Sequence, residues 1–329
     1  MYACPKFDYM KYVRLSSKDP YYNLAVEEYL LRNTKEDVFM LWQNDKTVVI
    51  GKNQNAYAEV DLAYAEGHGI HVARRLSGGG AVYHDAGNIN YTFITSMAKE
   101  KDFAFFTRPI IAALSSLGVT LVQTGRNDLE CEGKKVSGNA RYTADGRILH
   151  HGTLLFDLDA DTMAAVLHPD AEKYRHRAIA SHKGRVGALS SFLPDMSAEG
   201  LIDHIEAFVL QETGAAPMEI SPCEEISALV ARNASRDWIL SDKRYLTEYS
   251  ITRKKKYPFG LVQIDLSLLG ERIERARISG DFFATSPIEE LEAALVGHIL
   301  SDALSVDPAA FIAGMTQAEL GTLLREKNK

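Results

Sequence analysis

Residues 70–76 have the texture of a strand and run without a break into Ser77-Gly78-Gly79-Gly80, inside the longer string Arg74-Arg75-Leu76-Ser77-Gly78-Gly79-Gly80-Ala81-Val82-Tyr83-His84-Asp85. A strand that delivers a glycine triplet lets backbone N–H groups approach a ligand, because no Cβ stands in the way. Nested amides of this kind form an anion site. The two arginines beside the loop point the same way, since a guanidinium fork binds planar oxyanions through paired hydrogen bonds. The standard phosphate loops are excluded. Counted from Gly78, the place of the last glycine in a dinucleotide fingerprint is taken by Tyr83, and Gly133-Lys134 is followed by Lys135 where a Walker loop needs Ser or Thr. Ser137 is no nucleophile elbow either, because Lys135 occupies the position that must be glycine.

Around this loop the apolar period switches repeatedly between 3.6 and two. Helices are predicted at 22–31, 62–66, 105–117, 161–167 and 198–211, and strands at 39–42, 47–50, 90–94 and 119–123. Two polar strand segments follow at 127–140 and 147–157. A Lys/Arg/His-rich loop at 173–185 is long enough to carry function. From about residue 235 the texture changes, with strands predicted at 261–266 and 273–278 and helices at 287–299 and 316–324. A chain of 329 residues exceeds what one core usually serves, so two domains are expected, 1–247 and 248–329.

With 37 Lys plus Arg against 44 Asp plus Glu, the formal net charge is −7, short of the basic surplus that nucleic-acid binding requires. The 46% apolar and 25% charged content belongs to an ordinary globular chain. Cys4, Cys131 and Cys223 form no C-x-x-C pair and no closed disulfide framework, which points to a reducing compartment. No targeting pattern and no run of about 18 apolar residues is visible. A cytoplasmic protein without membrane attachment is the expectation.

A second constellation is Gly125-Arg126-Asn127-Asp128-Leu129 with Gly133-Lys134-Lys135-Val136-Ser137-Gly138-Asn139-Ala140. On a strand Lys134 and Lys135 point to opposite faces, so one can serve a pocket. Asp128 suits a magnesium ion, and a lysine beside it suits a phosphate. The alternative for this string is a charged surface hairpin. His150-His151 lacks a third ligand at zinc spacing, so structural histidines are the default. Arg253-Lys254-Lys255-Lys256 reads as a solvated charge run, and Trp42 and Trp238 as core residues.

RRLSGGGAVYHDAGNINYTFI, GRNDL, GKKVSGNARY and HHGTLLFD, in this order, resemble the bacterial long-form lipoate-protein ligases. The similarity extends over nearly the whole chain, from NLAVEEYLL and LWQNDKTVVIGKNQNAYAEV to the C-terminal GDFF and LVG segments. Four co-ordered motifs are far more specific than one glycine loop. The resemblance implies an α+β fold: a two-layer α/β catalytic domain related to biotin ligases, with a small α+β C-terminal accessory domain.

It also implies a reaction in two steps. Lipoate, or octanoate, attacks the α-phosphate of ATP with Mg²⁺, giving lipoyl-AMP and pyrophosphate. A lysine of an acceptor then takes the acyl group. The implied acceptors are lipoyl domains of 2-oxoacid dehydrogenase E2 subunits or the glycine-cleavage H protein, and a monomer is expected. Position by position, Arg75, Ser77, Gly78, Gly79, Gly80, Ala81, Val82 and Tyr83 match the stretch that wraps the adenylate, with His84 beside it. Lys135 matches the essential catalytic lysine, and Asn127 and Asp128 the nucleotide and magnesium side. Ser137, Gly138, Ala140, His151 and Thr153 complete the ATP and lipoyl-AMP set. Trp42, Arg75, Gly79, His84 and Lys135 make the lipoate pocket, whose apolar part gains roughly 0.8 kcal/mol per buried CH₂.

Two departures stand out: Lys183 where an arginine is usual in Ser181-His182-Lys183-Gly184-Arg185-Val186, and an altered segment around Trp238. An octanoyl or lipoyl transferase working without ATP is the competing reading, and it needs an activated cysteine. Cys131 is the nearby thiol, out of register with that nucleophile. A non-catalytic binding protein is a third reading, opposed by Lys135 and Asp128.

Overall fold

A computed structural model describes residues 9–97, 102–125, 127–167, 186–300, 302 and 305–325. In chain order the first elements are β1 (Lys11–Arg14), α1 (Pro20–Asn33), β2 (Val38–Trp42), β3 (Thr47–Ile50), α2 (Ala56–Glu59) and α3 (Leu62–Gly67). Next come β4 (His71–Arg74), β5 (Val82–His84), β6 (Asn88–Ser96), α4 (Phe103–Ser116), β7 (Val122–Thr124) and β8 (Asp128–Cys131). β9 (Lys134–Ala144), β10 (Arg147–Leu155), α5 (Ala160–Val166), α6 (Ala198–Thr213), β11 (Ala216–Pro217) and α7 (Glu224–Asn233) follow. The last are α8 (Arg236–Ile239), α9 (Asp242–Tyr245), β12 (Ile251–Tyr257), β13 (Gly260–Leu269), β14 (Arg272–Gly280), α10 (Ile288–Leu295) and α11 (Gln317–Arg325). Among the described residues no helix is long and apolar enough to cross a membrane.

The chain divides into two compact units. The first comprises 1–49, 60–73 and 83–235, and the second 50–59, 74–82 and 236–329. The second is therefore built from three separate stretches of sequence. Strands β4, β3 and β5 form a three-stranded sheet in that order.

The first unit is organised by an eight-stranded sheet in the order β11-β1-β2-β6-β10-β9-β8-β7. Two tight hairpins set the register of β8, β9 and β10. Glu132 and Gly133 both have positive φ (49° and 76°), as do Asp145 and Gly146 (53° and 71°). Two left-handed residues in a two-residue loop give the turn whose twist matches that of paired strands. The segment 127–140, read from sequence as one strand, is thus two strands folded on each other.

Behind the sheet, α4 and α6 pack against each other and against Phe39, Leu41, Tyr91 and Phe93. Asp102 starts α4 by accepting from Phe105 N at 2.8 Å. Ser197 starts α6, and Gly214 at φ 67° ends it in the left-handed conformation that favours glycine. Phe39 and Phe93 stack at 4.8 Å between ring centres. Each fully buried aromatic here contributes on the order of 1.5–3 kcal/mol. Helix α1 is set by Asp19, which accepts from Tyr21 N at 2.8 Å, with Pro20 in the first turn. It packs on α7 and buries Leu24, Val26, Leu30 and Leu31, together with Glu27 and Glu28. Two acidic residues on a buried helix face need partners, and Arg232 of α7 supplies one to Glu28.

In the second unit β12, β13 and β14 form an antiparallel sheet covered by α10 and α11, with Val262, Ile264, Leu266, Leu291, Leu295 and Leu323 in its core. The basic run Arg253 to Lys256, read as a solvated charge run, is the middle of edge strand β12. Unbroken charge hid its period of two.

Candidate functional site

Register places five residues of the first unit in one line across the large sheet. Trp42 of β2 lies opposite Asn90 of β6, and Asn90 opposite Thr153 of β10. Thr153 Oγ accepts from Gly138 N of β9 at 3.2 Å, and Gly138 lies opposite Asp128 of β8. Directly opposed residues present their side chains on the same face. With about 4.8 Å between strands, the line is roughly 19 Å long. It suits an extended ligand with different chemistry at its two ends.

At one end Lys135 Nζ meets Asp128 Oδ1 at 2.8 Å, both side chains partly exposed. A Cβ on Gly138 would lie 3.3 Å from Lys135 Nζ, so glycine leaves this ammonium its room. Lys135 O also accepts from Gly187 N at 2.8 Å, which ties the strand to the segment after Val186. Asn127 Nδ2 donates to Asn139 O at 2.6 Å, and Ser137 is fully buried beside it. Among the described residues no three His, Cys, Asp or Glu side chains gather as a metal cage. The Asp128 carboxylate beside the Lys135 ammonium is nevertheless compatible with a magnesium ion, which takes one or two carboxylates and completes its shell with phosphate and water.

At the other end Trp42 Nε1 donates to Thr92 Oγ at 3.0 Å, and Thr92 Oγ donates to Glu27 Oε1 at 2.7 Å. The same carboxylate faces His151 Nδ1 at 3.0 Å. Glu27 therefore ties the Trp42 indole to the His151 ring, next to Ala140 in register. His84 Nδ1 meets Asn44 Nδ2 at 3.1 Å; the amide donates, so the proton of neutral His84 sits on Nε2. Tyr83 is buried, and burial pushes its phenol up.

The glycine loop belongs to the second unit, and its three glycines have three different surroundings. A Cβ on Gly78 would stand 2.3 Å from Phe282 O. Gly79 has φ 92°, a conformation strained for any L side chain. Gly80 has nothing within 4 Å of its Cβ position among the described residues and is exposed. Arg75 Nε donates to Ser77 Oγ at 3.0 Å, and its Nη2 to Gly78 O at 2.6 Å and Gly80 O at 2.9 Å. This arginine shapes the loop from inside. Ala81 and Val82 continue it half-buried.

Arg74 corrects the reading of an arginine pair aimed at an oxyanion. It is buried and donates to the carbonyls of Gly51, Lys52, Gln54, Trp238 and Ile239. Burial lowers it to about 10, so it is still a cation at neutral pH. Trp238 in turn donates its indole N–H to Arg74 O at 3.0 Å and lies under Lys52 Nζ at 4.2 Å. Sequence reasoning missed Glu27 and Thr92, and named Asn139 only as part of a string, without a role. A signal existed for Glu27, a charge on the buried side of α1. Arg126 and the loop residues Ser181, His182, Lys183, Gly184 and Arg185 lie outside the described residues, as does Cys4.

The family model for the lipoyl protein ligase A/B catalytic domain matches residues 19–209, and that for the bacterial lipoate protein ligase C-terminus matches 247–320. The lipoate-protein ligase LplJ of Bacillus subtilis is 37% identical over 289 residues, covering 85% of this chain and 87% of that protein. Among solved structures, LipL1 of P. falciparum in complex with lipoate aligns over 88% of this chain and 90% of its own, at TM-score 0.75 and 24% identity, a likeness of fold. A bipartite ligase from Thermoplasma acidophilum, described with its E2 lipoyl domain, aligns over 73% and 98% at TM-score 0.63 and 26% identity. A lipoate-protein ligase A bound with ATP aligns over 73% and 97% at TM-score 0.57 and 25% identity. With its catalytic and C-terminal segments both matched in order, the chain belongs to the lipoate-protein ligase family.

Proposed function

We propose that the protein activates lipoate with ATP to lipoyl-AMP, releasing pyrophosphate, and transfers the lipoyl group to a lysine of a lipoyl domain. The observation that carries this reading is the Lys135–Asp128 pair at the polar end of a line of residues that reaches Trp42. A carboxylate and an amine do not condense unaided near neutral pH, so the acid must first gain a leaving group. The Lys135 ammonium holds the lipoate carboxylate against the α-phosphate and offsets the charge that builds between them. Asp128 is the residue that would hold Mg²⁺, which supplies charge neutralisation on the phosphates when bound. Trp42 bounds the C8 chain, with its indole held by Thr92 and Glu27. Gly80, open on its Cβ side, and its neighbours in the loop offer backbone amides to the adenylate. An E2 lipoyl domain accompanies the archaeal neighbour, which supports a lipoyl domain as acceptor.

Acyl transfer through a thioester finds no support at Cys131. Burial pushes this thiol up, away from the thiolate that a nucleophile requires. The deciding experiment is lipoate-dependent exchange of pyrophosphate into ATP, with Mg²⁺ and no acceptor. Exchange that depends on lipoate supports the adenylating ligase; acyl transfer between proteins without ATP overturns it.

A further inference from the structure

His150 has no part in this chemistry, yet it is a fully buried imidazole in an aromatic setting, stacked on Phe106 at 4.7 Å. Its Nε2 lies 3.1 Å from Asn139 Oδ1, and its Nδ1 has no hydrogen-bond partner among the described residues. Tyr91, also fully buried, donates its hydroxyl to the same Oδ1. The orientation of the Asn139 amide is fixed on its other side, where Nδ2 donates to Asn127 O at 3.1 Å and to Ser137 Oγ at 3.3 Å. Oδ1 is thus an acceptor, and neutral His150 must carry its proton on Nε2. Burial holds this ring well below the ordinary imidazole range, which keeps it neutral. Asn127 closes the arrangement with two more bonds to Asn139, Nδ2 to O at 2.6 Å and O from N at 2.9 Å.

Gly152 gives independent support. A Cβ there would stand 2.4 Å from both Asn139 Oδ1 and Tyr91 Cζ. The glycine of the His-His-Gly string is thus the opening through which two side chains meet. A core this well packed could be filled with apolar side chains, and burying four polar groups is costly unless each is bonded.

We propose that His150, Tyr91 and Asn139 form a positioning bridge that holds Asn127 and Asp128 from behind the sheet and so sets where Asp128 meets Lys135. The inference rests on the ligase reading only in giving Asp128 and Lys135 a part in the reaction. The bridge reaches Lys135 through backbone and hydrogen bonds, so it acts on the rate of adenylation and on ATP, and leaves the acyl end around Trp42 alone.

The test uses the full chain with Tyr91→Phe, His150→Leu and His150→Gln, the last keeping a donor near Nε2. Hydrogen–deuterium exchange of amides 127–131, without ligands, is expected to speed up at least fivefold in Tyr91→Phe and His150→Leu and stay within twofold in His150→Gln. In pyrophosphate exchange the first two should lose about tenfold in kcat, the size of one hydrogen bond, and raise the KM for ATP with lipoate KM unchanged. Unchanged protection of 127–131 in Tyr91→Phe and His150→Leu overturns the bridge, as does a His150→Gln protein as impaired as His150→Leu. A wild-type protein without lipoate-dependent exchange would sink the ligase reading alone, since the deuterium arm still decides the bridge.

Discussion

Lys135 is the residue on which the proposed chemistry turns, and its side chain is partly exposed with Asp128 as its ion-pair partner. Lys135→Ala should keep its thermal midpoint within a few degrees and lose about 100- to 1,000-fold in lipoate-dependent adenylation. Near-wild-type exchange by this variant would remove Lys135 from its role. His150 makes a different prediction, about pH. Its folded form resists protonation because of burial, whereas the unfolded chain takes up the proton at the ordinary value of 6.5. Below that value the unfolded state binds more protons, so stability present above pH 6.5 falls as the pH is lowered. His150→Gln should flatten this acid limb in thermal melts from pH 7.5 to 5; an unchanged difference between the two pH values would show that other groups set it. Lys135 and Asp128 were legible as residue types in ordered strings. Arg74 was misread because a sequence shows a guanidinium but not the five carbonyls that satisfy it. Glu27 and Tyr91 had no role readable in sequence for a related reason: their partners, Thr92 and His151 for the one and Asn139 for the other, are far away in the chain.

The elements that place these residues are short strands joined by tight turns, and the glycine loop shows how closely position controls outcome. Gly78→Ala would drive a methyl group into Phe282 O, 2.3 Å away, and should cost about 1–3 kcal/mol in urea denaturation. Gly80→Ala meets nothing within 4 Å and should stay within about 0.5 kcal/mol of wild type. If the loop amides face the adenylate, Gly80→Ala should still weaken ATP use several-fold. Equal stability loss in both variants would contradict the two environments. The triplet was visible as a loop from its composition alone. Which glycine is fixed by packing, which by conformation and which stands open was not, because the packing depends on Phe282, some two hundred residues on. The strand pair β8 and β9 was merged in sequence because its turn is Glu132-Gly133, where a charged residue takes the left-handed conformation usually given to Gly or Asn.

At the scale of the whole chain, the expectation was a linear division into 1–247 and 248–329. The compact units are discontinuous, because 50–59 and 74–82 pack with 236–329. A reading from left to right cannot see a loop that leaves its neighbours to join a distant segment. A chain ending at residue 247 should therefore keep Lys135 and Asp128 but expose 74–82, seen as new cleavage there by limited proteolysis, with adenylation lost. A truncated protein that resists cleavage and still exchanges pyrophosphate would show that the loop holds its shape unaided. The same arrangement has a meaning for synthesis. The loop leaves the ribosome with Gly78 bare of the Phe282 carbonyl it will pack against. At about 5–20 residues per second the wait is roughly 10–40 s. During that interval the nascent chain has its lysine but a glycine loop without the carbonyl it packs against, so the loop's final surroundings arrive only with the segment around Phe282.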